Sequence, residues 1–258
     1  MSYPWIIDFE PTSQDPRKGI QVAHITSGND GDVCNSCVTY ELLHGTDPKF
    51  CIDIGVDDGW WSFFAANSNP NCHIESFEPN PVSYTNLLPY IVKQTQITLH
   101  NLAISDSYGI LPFTIKGGES NSRITETEAD TYVACDTISR FIQDKTVNLV
   151  KIDTEGHDLI ILKTMRPFLK QIEAIIFECT AYWYGTTKEE CITNTVDELL
   201  FLKTHYTYMY ILSRRGDPCL RQLHNENDII QFSSMSYSHK YQVDILVCQT
   251  PIQTIPIV

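Results

Sequence analysis

The sequence lacks any long apolar run, and no stretch approaches the roughly 18 consecutive apolar residues that a membrane-spanning helix needs. It also lacks a run of Lys or Arg, since 18 basic residues stand against 32 acidic ones and the formal net charge is -14. A strongly acidic surface repels phosphate groups, so the charge disfavours nucleic acids and anionic membranes as partners. A neutral acceptor such as a sugar, or a cationic one, fits this charge better.

The N-terminus lacks the basic segment followed by an apolar segment that marks a secretory signal, so we expect none. The nine cysteines are an odd number and most lie inside apolar runs, which favours buried, reduced thiols and a cytoplasmic location. Cys34 and Cys37 have the spacing of a metal or redox pair, but no second pair completes a zinc site. We therefore interpret them as two unrelated cysteines.

The length of 258 residues, with 42% hydrophobic and 19% charged residues, indicates one globular domain with additions. Residues 1–48 are rich in Gly, Asp, Asn, Ser and Pro, which predicts an irregular N-terminal arm or lid with one helix around residues 37–44. Residues 49–258 are predicted to form the single domain. Residues 119–130 are polar and are predicted to form a mobile excursion that, like the arm, closes over a ligand.

From residue 49 onward, apolar runs alternate with helical stretches, which predicts a parallel sheet with helices on both faces. The predicted strands span residues 49–54, 73–78, 97–104, 147–153, 174–178, 206–212 and 242–247, with a short edge strand at 111–115. The predicted helices begin near residues 60, 83, 136, 158 and 196. No clearly periodic helical stretch separates the last two strands, so we expect them to form an antiparallel hairpin at one edge.

Acidic side chains fall at the ends of four predicted strands: Asp53, Glu78, Asp153 and Glu178. In parallel α/β sheets, ligands bind at the carboxyl ends of the strands. The four carboxylates are therefore expected to lie around one binding cleft.

The loop after the first strand has the pattern Asp-x-Gly-x-x-x-Gly, with Asp57 and Asp58 in the middle of the turn. A dinucleotide pyrophosphate docks on the bare N–H groups of a helix N-terminus, and two carboxylates there would repel it. The same carboxylates would not repel the sulfonium and ammonium groups of S-adenosylmethionine. The loop therefore favours that cofactor, while Glu78, at the end of the next strand, is placed to accept hydrogen bonds from ribose hydroxyls.

Four segments resemble, in order along the chain, the FkbM-type methyltransferases: DIGVDDGWWS at 53–62, FEPNP at 77–81, NLAISD at 101–106 and VKIDTEGHD at 150–158. The resemblance implies a Rossmann-like class I methyltransferase fold with a seven-stranded, mostly parallel sheet. It also implies O-methylation of hydroxyl groups, often on sugars, with Ala103 near the adenine. The family usually has Asn where Asp57 stands. The predicted cofactor-binding residues are Asp53, Gly55, Asp57, Gly59, Ser62, Glu78, Pro79, Asn101 and Ala103.

The segment after the fourth strand carries four ionisable side chains. Asp153 is the first candidate for the acceptor side, as a general base or a metal ligand, and Glu155 would position the loop or the acceptor. His157 is an alternative base because its pKa lies nearest neutral pH, or else it makes only a local hydrogen bond in the first helical turn. Asp158 is expected to favour the helix N-terminus electrostatically.

Asp153 and Glu178 end neighbouring predicted strands and would together bind Mg²⁺ or a similar cation, although no third ligand is evident. We therefore prefer a reaction without a metal ion and interpret Lys151 as an anchor for a carboxylate. The aromatic run Tyr182–Trp183–Tyr184 suits stacking on a sugar or on the sulfonium, or else a hydrophobic lid or homodimer contact.

The sequence thus predicts an S-adenosylmethionine-dependent O-methyltransferase that acts on a hydroxyl group of a sugar or glycan. Three alternatives stay open: an O-methyltransferase of a non-sugar small metabolite, a catalytically silent scaffold with the same fold, and a nucleotide-dependent oxidoreductase, which the acidic loop disfavours.

Overall fold

A computed structural model of the chain describes residues 31–115, 122–125, 129–212, 220–255 and 257. The strands are β1 (Lys49–Ile54), β2 (Cys72–Phe77), β3 (Ile97–His100), β4 (Ala103–Ser105), β5 (Gly109–Thr114), β6 (Arg123–Ile124), β7 (Thr131–Thr137), β8 (Leu149–Ile152), β9 (Ala174–Cys179), β10 (Tyr208–Leu212), β11 (Leu220–Gln222) and β12 (Val243–Cys248). The helices are α1 (Gly31–Leu43), α2 (Trp60–Ser68), α3 (Pro81–Ile91), α4 (Ser139–Ile142), α5 (Asp158–Met165), α6 (Lys188–Lys203) and α7 (Glu226–His239), with 3-10 turns at Arg166–Gln171 and Ala181–Trp183.

The main sheet has eight strands in the order β11-β10-β12-β9-β8-β1-β2-β3. The five strands from β9 to β3 are parallel, and β12 runs antiparallel between β9 and β10. The last strand in the chain therefore lies inside the sheet. This arrangement confirms the predicted Rossmann-like α/β fold with a mostly parallel sheet.

Both faces of this sheet are buried, as the apolar runs in the central strands predict. Neighbouring residues of β1 show the alternation: Cys51 packs in a core cluster with residues of α1, α2 and α3, whereas Ile52 packs with residues of α5, α6 and α7. Helix α1 contributes Cys34, Cys37 and Val38 to the first cluster. The remainder of the predicted N-terminal arm, residues 1–30, lies outside the described residues.

A second sheet of four strands, in the order β4-β7-β5-β6, stands beside the main one. It encloses a small core of Ala103, Phe113, Val133 and Cys135. Two of its strands come from sequence that was predicted differently. Residues 97–104 were predicted as one strand but form two, β3 and β4, because the chain turns at Asn101 and leaves the main sheet. Residues 131–137 form strand β7, whereas a helix was predicted to begin at residue 136.

The C-terminal part also differs from the prediction. Among the described residues the main sheet has eight strands and not seven, since β11 adds an antiparallel edge strand. The last two predicted strands, β10 and β12, do pair antiparallel, but α7 lies between them in the chain, so they do not form a hairpin. Half of the predicted excursion at 119–130 lies outside the described residues, and its described half includes β6. Within the described residues, the helices are too short or too polar to cross a bilayer.

Candidate active site

The loop after β1 touches the loop after β8 at a point where only glycine fits. Gly55 has a φ of 86°, and a Cβ built on it would lie 1.7 Å from the main-chain oxygen of Asp153. The N–H of Asp153 in turn donates to the carbonyl of Ile54 at 2.9 Å. The predicted cofactor loop and the predicted acceptor loop are therefore in direct contact at the carboxyl edge of the sheet.

Asp53 is fully buried beneath this contact. Its Oδ2 accepts a hydrogen bond from the Ser62 hydroxyl at 2.6 Å, and that hydroxyl lies 2.7 Å from Ser76 Oγ. Its Oδ1 accepts no hydrogen bond from any described residue and lies 3.8 Å from Lys151 Nζ. Burial raises the pKa of Asp53 to about 6, against the opposing effects of Lys151 and Ser62. Ser62, a predicted cofactor-binding residue, is itself buried and positions Asp53 from below.

Glu78 holds the cofactor loop from the other side. Its Oε2 accepts the N–H of Asp57 and its Oε1 accepts the N–H of Asn80, each at 2.7 Å. The Glu78 side chain is nearly fully buried, and burial raises its pKa to about 7. Asn101 braces the same turn, because its side-chain amide donates to the carbonyls of Glu78 and Pro79.

These residues fit S-adenosylmethionine. Gly55 has no side chain, so a ligand can approach its backbone closely, and Asp53 presents a buried acceptor oxygen that no donor of the described residues satisfies. Each Glu78 oxygen accepts one backbone N–H, and a carboxylate oxygen accepts two hydrogen bonds, so capacity is left for ribose hydroxyls. Gly59, with a φ of 84°, ends the turn and starts α2. Ala103 is buried at the start of β4 and is paired with Cys135.

Three carboxylates meet on the acceptor side of the Gly55 contact. Asp153, Glu155 and Glu178 each place an oxygen within 4.8 Å of the others, and Glu178 is buried. Such oxygens suit a hard cation or several hydroxyl donors. Glu155 reaches the group because its φ is 55°, a left-handed conformation that a sequence pattern does not reveal. Lys151 Nζ lies 3.5 Å from Asp153 Oδ2 and contributes a positive charge.

Asp158 shapes the loop that carries these carboxylates. It is fully buried, and it accepts hydrogen bonds from the N–H and hydroxyl of Thr154 and from the N–H of Gly156. Burial raises the pKa of Asp158 to about 6. Asp158 also stands in the first turn of α5, as predicted, and its carboxylate folds the preceding segment back on itself.

His157 is engaged elsewhere. Its Nε2 lies 2.9 Å from the hydroxyl of Ser105, the last residue of β4, so this side chain connects α5 to the second sheet. Burial lowers the pKa of His157, against the opposing effect of Asp106. The three-carboxylate group does not include His157.

Two residues of the aromatic run after β9, Tyr184 and Trp183, differ in burial and in what they contact. The hydroxyl of Tyr184 donates to the main-chain oxygen of Glu178 at 2.9 Å, and its ring is buried, so Tyr184 supports the end of the strand. Trp183 is only partly buried and packs on Gly156, where an added Cβ would lie 3.3 Å from the indole. The guanidinium of Arg123, on β6, lies 5.8 Å from the centre of the Trp183 ring.

Two residues near the site were not predicted. Asp244, on β12, lies opposite Glu178 in the sheet, and Asn35 of α1 donates to Asp244 Oδ2 at 3.3 Å. In the sequence, Asn35 lies in the segment predicted to be an irregular arm. Asp244 is a single acidic residue in one of the last predicted strands and belongs to no recognised motif. No local sequence signal marks either residue as part of the site, because only the order of the strands in the sheet brings them to the cleft.

Residues 53–210, more than half of the chain, match the model of the methyltransferase FkbM domain. The chain belongs to the FkbM methyltransferase family. This FkbM protein accordingly has the class I methyltransferase fold and is an S-adenosylmethionine-dependent methyltransferase by family. No curated protein matches its sequence.

Solved structures similar to this FkbM protein share little sequence with it. A precorrin-6y C5,15-methyltransferase from Geobacter metallireducens GS-15 is 14% identical, with 83% of this chain and 87% of that chain covered and a TM-score of 0.41. An rRNA methylase from Streptococcus thermophilus is 9% identical, with coverages of 86% and 97% and a TM-score of 0.47. The plantazolicin methyltransferase BpumL, in complex with SAH, is 10% identical, with 93% of both chains covered and a TM-score of 0.43.

Proposed function

We propose that this chain is an O-methyltransferase that transfers the methyl group of S-adenosylmethionine to a hydroxyl of a sugar or glycan. The observation that carries the proposal is the position of the three-carboxylate group of Asp153, Glu155 and Glu178. It stands directly beside the cofactor loop, because the main chain of Asp153 touches Gly55. Acceptor oxygens at that distance from the cofactor suit a substrate that presents several hydroxyl donors.

The chain's own residues would bind and orient the cofactor. Gly55 allows close backbone approach, Glu78 accepts the ribose hydroxyls, and the buried Asp53 offers the acceptor oxygen Oδ1. When bound, S-adenosylmethionine supplies an activated methyl group and a neutral leaving group. The protein then has to align the acceptor oxygen with that methyl group and remove the hydroxyl proton.

Asp153 is the proposed general base. It is half-exposed at the cleft, so a hydroxyl can reach it, and Lys151 lies 3.5 Å behind its carboxylate. That ammonium orients the Asp153 carboxylate, which in its ionised form accepts a proton. His157 is less well placed for this step, since its Nε2 is hydrogen-bonded to Ser105. We propose that His157 instead fixes the start of α5.

Glu155, Glu178 and Trp183 are the proposed acceptor-binding residues. Carboxylate oxygens accept hydrogen bonds from neighbouring hydroxyls, and an indole face stacks on the apolar face of a sugar ring. Trp183 packs on Gly156, in the same loop as Asp153 and Glu155, so the stacking surface and the acceptor oxygens are neighbours. A substrate with one isolated hydroxyl would use only part of this surface.

A screen of methyl transfer tests this proposal. Labelled S-adenosylmethionine is incubated with a panel of mono- and oligosaccharides and, separately, with phenols and simple alcohols. Transfer to a sugar, lost in Asp153→Asn, is the expected result. Transfer only to phenols or alcohols would replace the sugar with a small-metabolite acceptor. Absence of any heat of S-adenosylmethionine binding at high micromolar concentration would instead support a silent scaffold, and binding of NADH an oxidoreductase.

We also propose a cytoplasmic location. Cys51 and Cys72, on neighbouring strands, carry free thiols and are both buried. Burial raises the pKa of Cys51, whose Sγ lies 3.4 Å from Cys72 Sγ, and a protonated thiol is a poor nucleophile. Free thiols at that separation are typical of a reducing compartment.

A further inference from the structure

Cations and aromatic rings alternate along one surface that begins on the acceptor side of the site. Trp183 and Tyr182, on the 3-10 turn after β9, contact each other edge to face with their ring centres 5.5 Å apart. The guanidinium of Arg123 lies 5.8 Å from the centre of the Trp183 ring, and Lys240 Nζ lies 4.5 Å from the centre of the Tyr182 ring. The alternation continues onto α6 and α7. The members of this cation–aromatic strip are, in order, Arg123, Trp183, Tyr182, Lys240, Tyr237 and Lys188.

The far half of the strip joins the end of α7 to the start of α6. Lys240 Nζ lies 4.8 Å from the centre of the Tyr237 ring, and Lys188 Nζ lies 6.0 Å from the same ring centre. Lys188 is the first residue of α6, and Lys240 follows the last residue of α7. Strand β6, the 3-10 turn, α6 and α7 therefore all contribute to the strip, so no local sequence pattern marks it.

The near end of the strip touches the loop that carries the proposed base. Trp183 packs on Gly156, where an added Cβ would lie 3.3 Å from the indole, and Gly156 belongs to the same loop as Asp153. Strand β6, which carries the cation over this indole, is also tied to the cofactor side, because Asn80 Nδ2 donates to Ser122 Oγ at 3.3 Å. A ligand on the strip would therefore extend into the acceptor side of the cleft.

The three cations of the strip are exposed. Within the described part of the chain, Arg123, Lys188 and Lys240 contact aromatic rings and form no ion pair with a carboxylate. Glu190, close to Lys188 in sequence, instead accepts hydrogen bonds from the hydroxyl and N–H of Thr186. The chain has 18 basic residues against 32 acidic ones, so the strip is a local exception to its acidic charge.

We propose that the cation–aromatic strip binds an acidic glycan whose sugar rings carry carboxylate groups, as uronic acids do. Aromatic faces stack on the apolar faces of sugar rings, and guanidinium and ammonium groups donate charge-assisted hydrogen bonds to carboxylates. The inference rests on the proposed function, because it makes the methylated hydroxyl part of the same glycan. A single-stranded nucleic acid also alternates rings with negative charges, but the carboxylates beside the strip suit a hydroxyl-rich ring better than a phosphodiester.

Calorimetric titration of the full chain without cofactor tests the charge preference. The two ligands are hexagalacturonate and its fully methyl-esterified form, which has the same rings and no charge. The acidic form is expected to bind about tenfold more tightly at low ionic strength, since each exposed ion pair is individually weak. Added salt should reduce this preference, because it screens exposed charges.

Single substitutions assign the preference to the strip. Arg123→Gln and Lys240→Gln are each expected to weaken binding of hexagalacturonate about threefold and to change binding of the ester little. Lys145→Gln is the matched control, because Lys145 Nζ lies 4.4 Å from the centre of the Phe50 ring near the amino end of β1. It removes the same charge and the same kind of ring contact away from the strip, so both affinities should stay unchanged.

The outcomes separate this inference from the function on which it rests. Equal affinity of the wild type for the acid and the ester would overturn the inference, and so would equal losses in Lys145→Gln and Lys240→Gln. Tighter binding of hexauridylate than of hexagalacturonate would replace the glycan with a nucleic acid. A wild type that binds hexagalacturonate as expected but transfers no methyl group to any sugar contradicts the proposed function, while it supports the strip as a glycan-binding surface.

Discussion

The main-chain oxygen of Asp153 occupies the place where a side chain on residue 55 would begin, since a Cβ on Gly55 would lie 1.7 Å from it. The Asp153 oxygen belongs to the backbone, so it cannot rotate away as the end of a flexible side chain would. The contact joins the loop proposed to bind the cofactor to the loop proposed to carry the base. The distance between donor methyl and acceptor hydroxyl therefore depends on one glycine.

Gly55→Ala is expected to abolish cofactor binding and to destabilise the fold. The substitution combines a strained φ of 86° with a backbone clash, and the two loops must separate. Gly45→Ala is the control, because Gly45 has a φ of 124° but no atom within 4 Å of the added Cβ. It should cost only about 1–3 kcal/mol of unfolding free energy. Urea unfolding and calorimetry with S-adenosylmethionine check both variants, and equal effects would contradict the clash.

The affinity for S-adenosylmethionine is expected to fall as the pH drops below about 7, by up to about tenfold per pH unit. The reason is the pKa of Glu78, which burial raises to about 7, together with the need for an ionised carboxylate to accept the ribose hydroxyls. Calorimetry between pH values on either side of the pKa measures this dependence. Glu78→Gln should bind more weakly at neutral pH and lose most of the pH dependence.

The same residue gives an independent check without cofactor. Because the pKa of Glu78 is raised in the folded state, its contribution to stability is full below its ordinary pKa of 4.5 and is lost as the pH rises through about 7. The difference in unfolding free energy between wild type and Glu78→Gln should therefore change over that interval, in favour of the variant at high pH. A difference that does not vary with pH would show that Glu78 titrates normally.

Asp153→Asn is expected to lower kcat by about a hundredfold or more, the usual cost of losing a general base, while the affinity for S-adenosylmethionine changes little. Single-turnover kinetics with a sugar acceptor and calorimetry measure the two quantities. His157→Gln is the comparison, since its Nε2 contacts Ser105 and its loss should reduce stability more than kcat. The reverse pattern would make His157 the base. A collapse of cofactor binding in Asp153→Asn would assign Asp153 to the cofactor pocket.

Removal of divalent metal ions is expected to leave kcat within about twofold of its original value. Asp153, Glu155 and Glu178 have the composition of a magnesium site, but Lys151 already places a positive charge 3.5 Å from Asp153. Activity after dialysis against EDTA, with and without added magnesium, tests this expectation. A loss that magnesium restores would show that the three carboxylates bind a metal ion.

The sequence predicts the half of the site that depends on local pattern. Gly55, Glu78 and Asp153 follow strands whose apolar runs are plain, and parallel strands bring such ends together. It assigns Glu155 to position the loop or the acceptor, but it does not predict that Glu155 joins Asp153 and Glu178 in one group, since Glu155 has a left-handed backbone conformation that the sequence does not reveal. Asp244 and Asn35 depend on the order of strands, which is a property of the whole sheet.

Helix α7 shows a signal that hydrophobic periodicity overlooks. Asn225 caps the helix by accepting the N–H of Asp228, and the Asp228 carboxylate accepts the N–H of Asn225 in return. This reciprocal pair at a spacing of three residues marks a helix start even where the apolar stripe is weak. The capping pair predicts a helix between β10 and β12, and two strands with a helix between them do not form a hairpin. Strand β11 is only three residues long and has no comparable sequence signal.

The position of β12 between β9 and β10 affects how the sheet can fold while the chain is being synthesised. Synthesis runs from the N-terminus, so β9 and β10 leave the ribosome well before Val243–Cys248, the strand that lies between them. Until β12 is made, the edges of β9 and β10 that it will pair with expose N–H and C=O groups without partners, and such edges can pair with other chains. Glu178 also lacks its cross-strand neighbour during this interval. The cleft is therefore completed only after β12 has been translated, and a nascent chain paused before β12 would be open to aggregation.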